Sequence, residues 1–203
     1  QYRLGLSYER LGDIAKNLGN LEQALGYFEK FHQDSKKFLD SDPGNADFIN
    51  FLAISNSKLG DTYIKSGDLE KALSYYEQDM KLTKELYETY PTNVVYKNGL
   101  AISYERLGDI HNTLGNIEKA LTCYEKYNRI EEELYENDPK NIRIKYNLAI
   151  SYSKLGDTQI EMDNTIKALG YYEQNLKLTK ELNSSYPKNV RFKDILAVSY
   201  SRM

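Results

Sequence analysis

The chain repeats itself every 48 residues. The tripeptide Leu-Gly-Asp begins at Leu11, Leu59, Leu107 and Leu155, and the only four prolines are Pro43, Pro91, Pro139 and Pro187. Ala24, Ala72, Ala120 and Ala168 keep the same step, as do the aromatics Phe28, Tyr76, Tyr124 and Tyr172. A fixed period of this size implies stacked supersecondary units, each burying its apolar face only against its neighbours. A second period lies over the first: of the 107 residue pairs 96 apart, 54 are identical, which reads as duplication of a two-unit block. A ligand that contacts every second unit is the other reading.

Each unit reads as two helices. From Val94 to Leu114, Tyr96, Leu100, Tyr104, Leu107 and His111 fall on one helical face. Gly115-Asn116 breaks the pattern, since glycine tolerates the left-handed conformation that closes a helix. A second helix is predicted over Ile117 to Asn137, with Ile117, Ala120, Leu121, Tyr124, Tyr127 and Leu134 as its apolar face. Asp138-Pro139 ends it. Asn141, like Asn45, Asn93 and Asn189, is placed to cap the helix that follows. Gly19, Gly67 and Gly115 occupy the turn inside their units, but the fourth unit has Asp163 there, which suggests a looser turn. Strand alternation is absent, so the expected fold is all-α.

The pattern resembles the tetratricopeptide repeat, in which an aromatic-x2-Leu-Gly-x2-Tyr segment is followed by Ala-x3-Phe and then proline. The third unit supplies Tyr104, Leu107, Gly108, His111, Ala120, Tyr124 and Pro139; the first supplies Tyr8, Leu11, Gly12, Ala15, Ala24, Phe28 and Pro43. The unit is longer than the family's usual 34 residues by 14, about two helical turns in each helix, assigned to the ends around each proline. Long units of this type resemble arrays in bacterial signalling proteins. The resemblance implies an α-solenoid of about four helix hairpins plus a terminal helix, in a right-handed superhelix. One array over residues 1–203 is expected, with units at about 1–45, 46–93, 94–141 and 142–189 and a partial unit at 190–203, cut from a longer protein.

Composition narrows the function. Charged residues make up 28% of the chain and the net charge is −3, which argues against a nucleic-acid binder with its basic face. No apolar run approaches the ~18 residues of a membrane span, and no signal-peptide pattern opens the chain. A single cysteine, Cys123, excludes an internal disulfide and points to a cytoplasmic setting. His32 and His111, with one cysteine, do not make a zinc site. Cys123 falls where other units have tyrosine and His111 on the helix–helix contact, so both read as packing residues; His32 reads as a surface residue. No phosphate-binding glycine motif or nucleophile–base pair is present; neither an enzyme nor a cofactor is expected.

What the first helices carry is charge. In the family these helices line a concave groove, and the residue after Leu-Gly points into it. Here that residue is Asp13, Asp61, Asp109 and Asp157. Glu9 and Glu105 lie one turn earlier; Ile64, Asn112 and Ile160 lie one turn later, and Arg10, Lys58, Arg106 and Lys154 sit beside the row. Two readings stand: a row neutralised locally by the neighbouring basic residues, or an acidic floor for a partner with interleaved basic and apolar residues. The resemblance implies a non-catalytic module binding a protein or peptide in that groove, with Glu9, Asp13, Asp61, Ile64, Glu105, Asp109, Asn112, Asp157 and Ile160 as the contact set. End-to-end self-association, as a structural assembly element, is the alternative.

Overall fold

Four tetrapeptides fix where helices stop and restart: Asp42-Pro43-Gly44-Asn45, Tyr90-Pro91-Thr92-Asn93, Asp138-Pro139-Lys140-Asn141 and Tyr186-Pro187-Lys188-Asn189. In the computed structural model, which describes residues 2–203 and side chains from Leu4 onward, each closes a four-residue turn. The N–H of Asn45, Asn93, Asn141 and Asn189 donates to the carbonyl of Asp42, Tyr90, Asp138 and Tyr186 at 3.0–3.1 Å. Proline's fixed φ suits the second position of such a turn. The asparagine side chain then caps the next helix: Asn45 Oδ1 accepts from the N–H of Asp47 and Phe48, and Asn141 Oδ1 from that of Arg143 and Ile144.

The described residues form nine α-helices and no strand. They are α1 (Tyr2–Asn17), α2 (Leu21–Ser41), α3 (Ala46–Ser66), α4 (Leu69–Thr89), α5 (Val94–Thr113), α6 (Ile117–Asn137), α7 (Ile142–Glu161), α8 (Thr165–Ser185) and α9 (Val190–Ser201). The chain divides into two compact units, 1–110 and 111–203.

In the first unit α1 packs on α2, α2 on α3 and α3 on α4. Ala15, Ala24, Phe28 and Leu59 form a buried cluster, flanked by Leu25, Tyr27, Tyr63 and Tyr75. The Leu-Gly glycine is where second-helix aromatics come in close. A Cβ built on Gly60 would lie 2.5 Å from the Tyr76 ring, and one on Gly12 2.4 Å from Phe28. The unit also buries an acid: Asp79 is 3% exposed, and its Oδ2 accepts from Ser103 Oγ at 2.7 Å, with Thr83 Oγ1 3.0 Å from the same hydroxyl.

In the second unit α6 packs on α7, α7 on α8 and α8 on α9. One cluster holds Ala120, Tyr124 and Leu155, and another Leu148, Ala149 and Leu178, against which Tyr135 and Tyr152 pack. Gly156 repeats the close approach, 2.4 Å from the Tyr172 ring. Asn175 stands where the first unit has Asp79.

The turn at Asp163 is not looser. Asp163 takes the left-handed conformation itself (φ 59°, against 83° at Gly67), and Asn164 N–H reaches Gln159 O at 2.8 Å as Asp68 N–H reaches Tyr63 O at 3.0 Å. The hydrogen bonds that close the helix impose the geometry, and aspartate tolerates it better than most residues.

Candidate partner-binding faces

Asp13, Asp61 and Asp157 are each held by a basic residue of the following repeat, 45 residues on. In the first unit, Lys58 Nζ donates to both oxygens of Asp13, at 2.8 and 2.6 Å, and lies 3.6 Å from Glu9. Arg106 Nε lies 3.2 Å from Asp61 Oδ1, and Lys16 bridges the row at 3.8 Å from Asp13 and 3.9 Å from Asp61. The second unit repeats the motif: Arg202 Nη2 donates to Asp157 Oδ2 at 2.6 Å. Lys58 and Arg106 each sit three positions before the aspartate of their own helix, and they, like Arg202 just past α9, reach back to the aspartate 45 residues earlier. The shortest ion pairs are therefore made with the next repeat's basic residue rather than with the one beside the aspartate in the chain, and Lys16 adds a longer local contact to Asp13.

A second tie comes from within the hairpin. Tyr76 OH donates to Asp61 Oδ1 at 2.8 Å, and Tyr172 OH to Asp157 Oδ1 at 2.9 Å. Burial, reinforced by the neighbouring carboxylate, raises both phenols, Tyr172 to about 12, so both remain donors across the physiological range. Phe28 has no hydroxyl at this position, and Lys16 lies over its ring instead, 5.7 Å from the centroid. In the sequence these tyrosines stand out only as aromatics that keep the 48-residue step; the Asp–Tyr spacing of 15 in units two to four was the available signal of the tie.

The other residues of the contact set take different positions. Ile64 and Ile160 are bare, 36% and 45% exposed. In the first unit, Glu9, Glu105 and Asp109 are half-buried, Asp109 following the buried Gly108 on α5; Asn112, in the second unit, is half-buried too. Each unit thus presents a charge-balanced polar rail with an isoleucine one turn beyond.

Elsewhere the chemistry is quiet. His32 is not a surface residue: it is half-buried, its Nδ1 lies 3.1 Å from Ser55 Oγ, and burial lowers its pKa, Lys36 adding to the effect. His111 is buried, as a packing residue should be. Burial pushes the half-buried Cys123 thiol up, away from the nucleophilic thiolate. Among the described residues no group of three or more His, Cys, Asp or Glu side chains could hold a metal ion, and no helix is long and apolar enough to cross a membrane.

Comparison with known proteins bears on the repeat itself. Residues 2–31 and 101–134 match one family model described as a tetratricopeptide repeat, and residues 57–86 match a second with the same description. The fold is similar to that of BtubC (BKLC) from P. vanneervenii, with a TM-score of 0.63 and 21% identity, over 90% of this chain and 67% of that one. It is also similar to the apo form of RapI, with a TM-score of 0.71 and 11% identity, over 98% of this chain and 52% of RapI. This chain therefore spans about half the length of RapI. Nothing among curated proteins matches its sequence. Tetratricopeptide repeats generally mediate protein–protein interaction and are generally not catalytic. The matched segments carry the Leu-Gly and Ala-x3-aromatic positions that the packing uses, and the chain belongs to the tetratricopeptide-repeat family.

Proposed function

We infer that the chain is a non-catalytic interaction module whose first helices receive a protein or peptide partner. The contact set is Glu9, Asp13, Asp61, Ile64, Glu105 and Asp109 in the first unit, and Asn112, Asp157 and Ile160 in the second. The observation that carries this reading is an exposed isoleucine beside a fixed polar rail, in both units. The rail costs a partner little ordering, because its charges are already held, and Ile64 and Ile160 offer apolar area to bury. The aspartates act as much on register as on binding, since half-exposed ion pairs each contribute about 0–1 kcal/mol.

Charge reversal at Asp61 is a poor test, because it would also strand Arg106 and the Tyr76 hydroxyl. Ile64→Glu with Ile160→Glu is cleaner, since neither side chain is buried. A partner recovered with the wild-type chain is expected to bind this variant at least tenfold more weakly by calorimetry, at unchanged helical content by circular dichroism. Unchanged affinity overturns the reading.

One observation favours self-association as a second reading. Leu4, Leu11 and Ile14 on α1 and Leu18 just past its end are 50%, 41%, 56% and 72% exposed, while Leu52 and Leu59, the counterparts of Leu4 and Leu11, are buried within the first unit. Light scattering across a range of concentrations decides it: a constant monomer mass removes this reading.

A further inference from the structure

A cleft of about 430 Å³ opens in the second unit between the second helices α6 and α8, with α7 beneath. It lies away from Asp157 and Ile160, on another face of α7, so it stands or falls independently of the first-helix reading. Its floor is the buried pair Leu148 and Leu178, and Tyr135 and Tyr152 pack against that floor as walls. On the α6 side Glu132 and Glu136, one helical turn apart, line the opening. Tyr152 OH donates to Glu132 Oε1 at 2.8 Å, which holds that carboxylate over the cleft. Neither glutamate has an ion-pair partner among the described residues, in contrast to Asp157 with Arg202.

The duplication makes the cleft's character visible. Ninety-six residues earlier, Leu52, Lys81 and Leu82 stand where Leu148, Lys177 and Leu178 stand here, unchanged. The other wall differs at three of its four positions: Lys36, Leu39 and Asn56 correspond to Glu132, Tyr135 and Tyr152, while Glu136 keeps the acid of Asp40. One cation and two side chains without rings have become an anion and two tyrosines, while the floor and far rim are retained.

We propose that this cleft is a binding site for an arginine side chain of a partner peptide, its stem lying on Leu148 and Leu178 between the tyrosine rings and its guanidinium meeting Glu132 and Glu136. Tyrosines of the same unit already hold cations this way. Arg191 Cζ lies 4.2 Å from the centroid of the Tyr146 ring, and Lys145 Nζ 5.8 Å from that of Tyr135 while bonded to Glu181 at 2.8 Å. A planar guanidinium lies flat on a ring while its fork of N–H groups meets two carboxylates, whereas a lysine ammonium makes the same two contacts only as a point charge. Lys177, on the α8 rim, repels the cation toward the α6 wall. The volume lies within the range of built ligand pockets, roughly 300–1,000 Å³, and suits one long side chain with apolar flanks.

The test uses acetyl-Leu-Arg-Leu-amide as probe, titrated into the full chain carrying labelled leucine methyl groups. Saturable shifts of Leu148 and Leu178 are expected. The same peptide with neutral citrulline for arginine is expected to bind at least fivefold more weakly, and so is the arginine peptide to the double variant Glu132→Gln, Glu136→Gln. Glutamine keeps an acceptor for Tyr152, so unchanged starting positions of the two methyl signals certify the fold. Equal binding of the citrulline peptide, equal binding by the variant, or shifts at Leu52 and Leu82 as large as those at Leu148 and Leu178 would each overturn the proposal. The Ile64→Glu, Ile160→Glu variant is expected to bind this probe normally, which separates the two sites.

Discussion

The two units bury the same polar triad with one difference, a carboxyl group at Asp79 where Asn175 has an amide. In the second unit, Asn175 Nδ2 donates to Ala149 O at 2.7 Å, its Oδ1 accepts from Ser199 Oγ at 2.5 Å, and Thr179 Oγ1 donates to Ser199 Oγ at 3.1 Å. In the first, Asp79 takes the place of Asn175, with Ser103 and Thr83 as its partners. The two side chains have nearly the same shape, but an ionised carboxylate has no hydrogen to offer where the amide donates. Burial accordingly pushes Asp79 up to about 6, against the opposing pull of the Ser103 hydrogen bond and Arg106 and with a small push from Asp61. A buried acid whose folded pKa exceeds its ordinary 3.8 stabilises the fold below that value, and the contribution is lost as pH rises through about 6.

Exchanging the two residues should give the largest effect. A shift of about two pH units corresponds to about 3 kcal/mol. Asp79→Asn is expected to raise stability by about that amount at pH 8 and by little at pH 4, and Asn175→Asp to impose the mirror-image loss. Hydrogen exchange at both pH values, read helix by helix, assigns the change: α3 and α4 for the first, α8 and α9 for the second. A first unit whose protection stays level from pH 4 to pH 8 in the wild-type chain would show that Asp79 is ionised throughout, and the comparison would fail.

How far the sequence reaches differs between these features. The helix ends were legible because proline, asparagine and glycine act locally, and each does so at every repeat. The Asp–basic pairs across 45 residues were not. The reading placed Asp61 beside Lys58 along the chain, whereas packing pairs Lys58 with Asp13 of the preceding repeat. Asp79 was hidden for another reason. Its position is Phe31, Asp79, Tyr127 and Asn175 in the four repeats, so no periodic signal marks it. Only burial by α4's neighbours turns an ordinary acid into a perturbed one. The α6–α8 cleft escaped for the same reason, being a departure from the period, which a search for repetition passes over.

A lesion common to both units calibrates the comparison. Gly60→Ala and Gly156→Ala each place a methyl group 2.4–2.5 Å from a tyrosine ring atom, closer than contact allows. The ring is held by its hydroxyl on Asp61 or Asp157, so it cannot swing aside without losing that bond. Overpacking of this kind costs about 1–3 kcal/mol, of which the better helix propensity of alanine returns up to about 1. Similar losses are expected in urea melts, with faster exchange confined to the hairpin mutated. Pairing each with Tyr76→Leu or Tyr172→Leu should recover part of the loss. If the double variants are no better than the single ones, the ring is not the obstacle.

The smallest effect concerns the turn inside each hairpin. Gly67 in the first unit and Asp163 in the second share a left-handed backbone, at φ 83° and 59°. For a residue with a Cβ that conformation costs roughly 1–2 kcal/mol. Aspartate pays less than most, and glycine gives back some of the gain through the greater freedom of its unfolded chain. Asp163→Gly should therefore stabilise the second unit by about 0.5–1 kcal/mol, and Gly67→Asp should weaken the first by a similar amount. The hydrogen bonds from residues 163 and 164 to Ile160 and Gln159 are made by the backbone and survive the change. The exchange is thus expected to move stability without moving structure, leaving the amide shifts of α7 and α8 in place. A second unit weakened by Asp163→Gly would mean that the aspartate side chain itself closes the turn, and that the two turns, alike in backbone, are held by different forces.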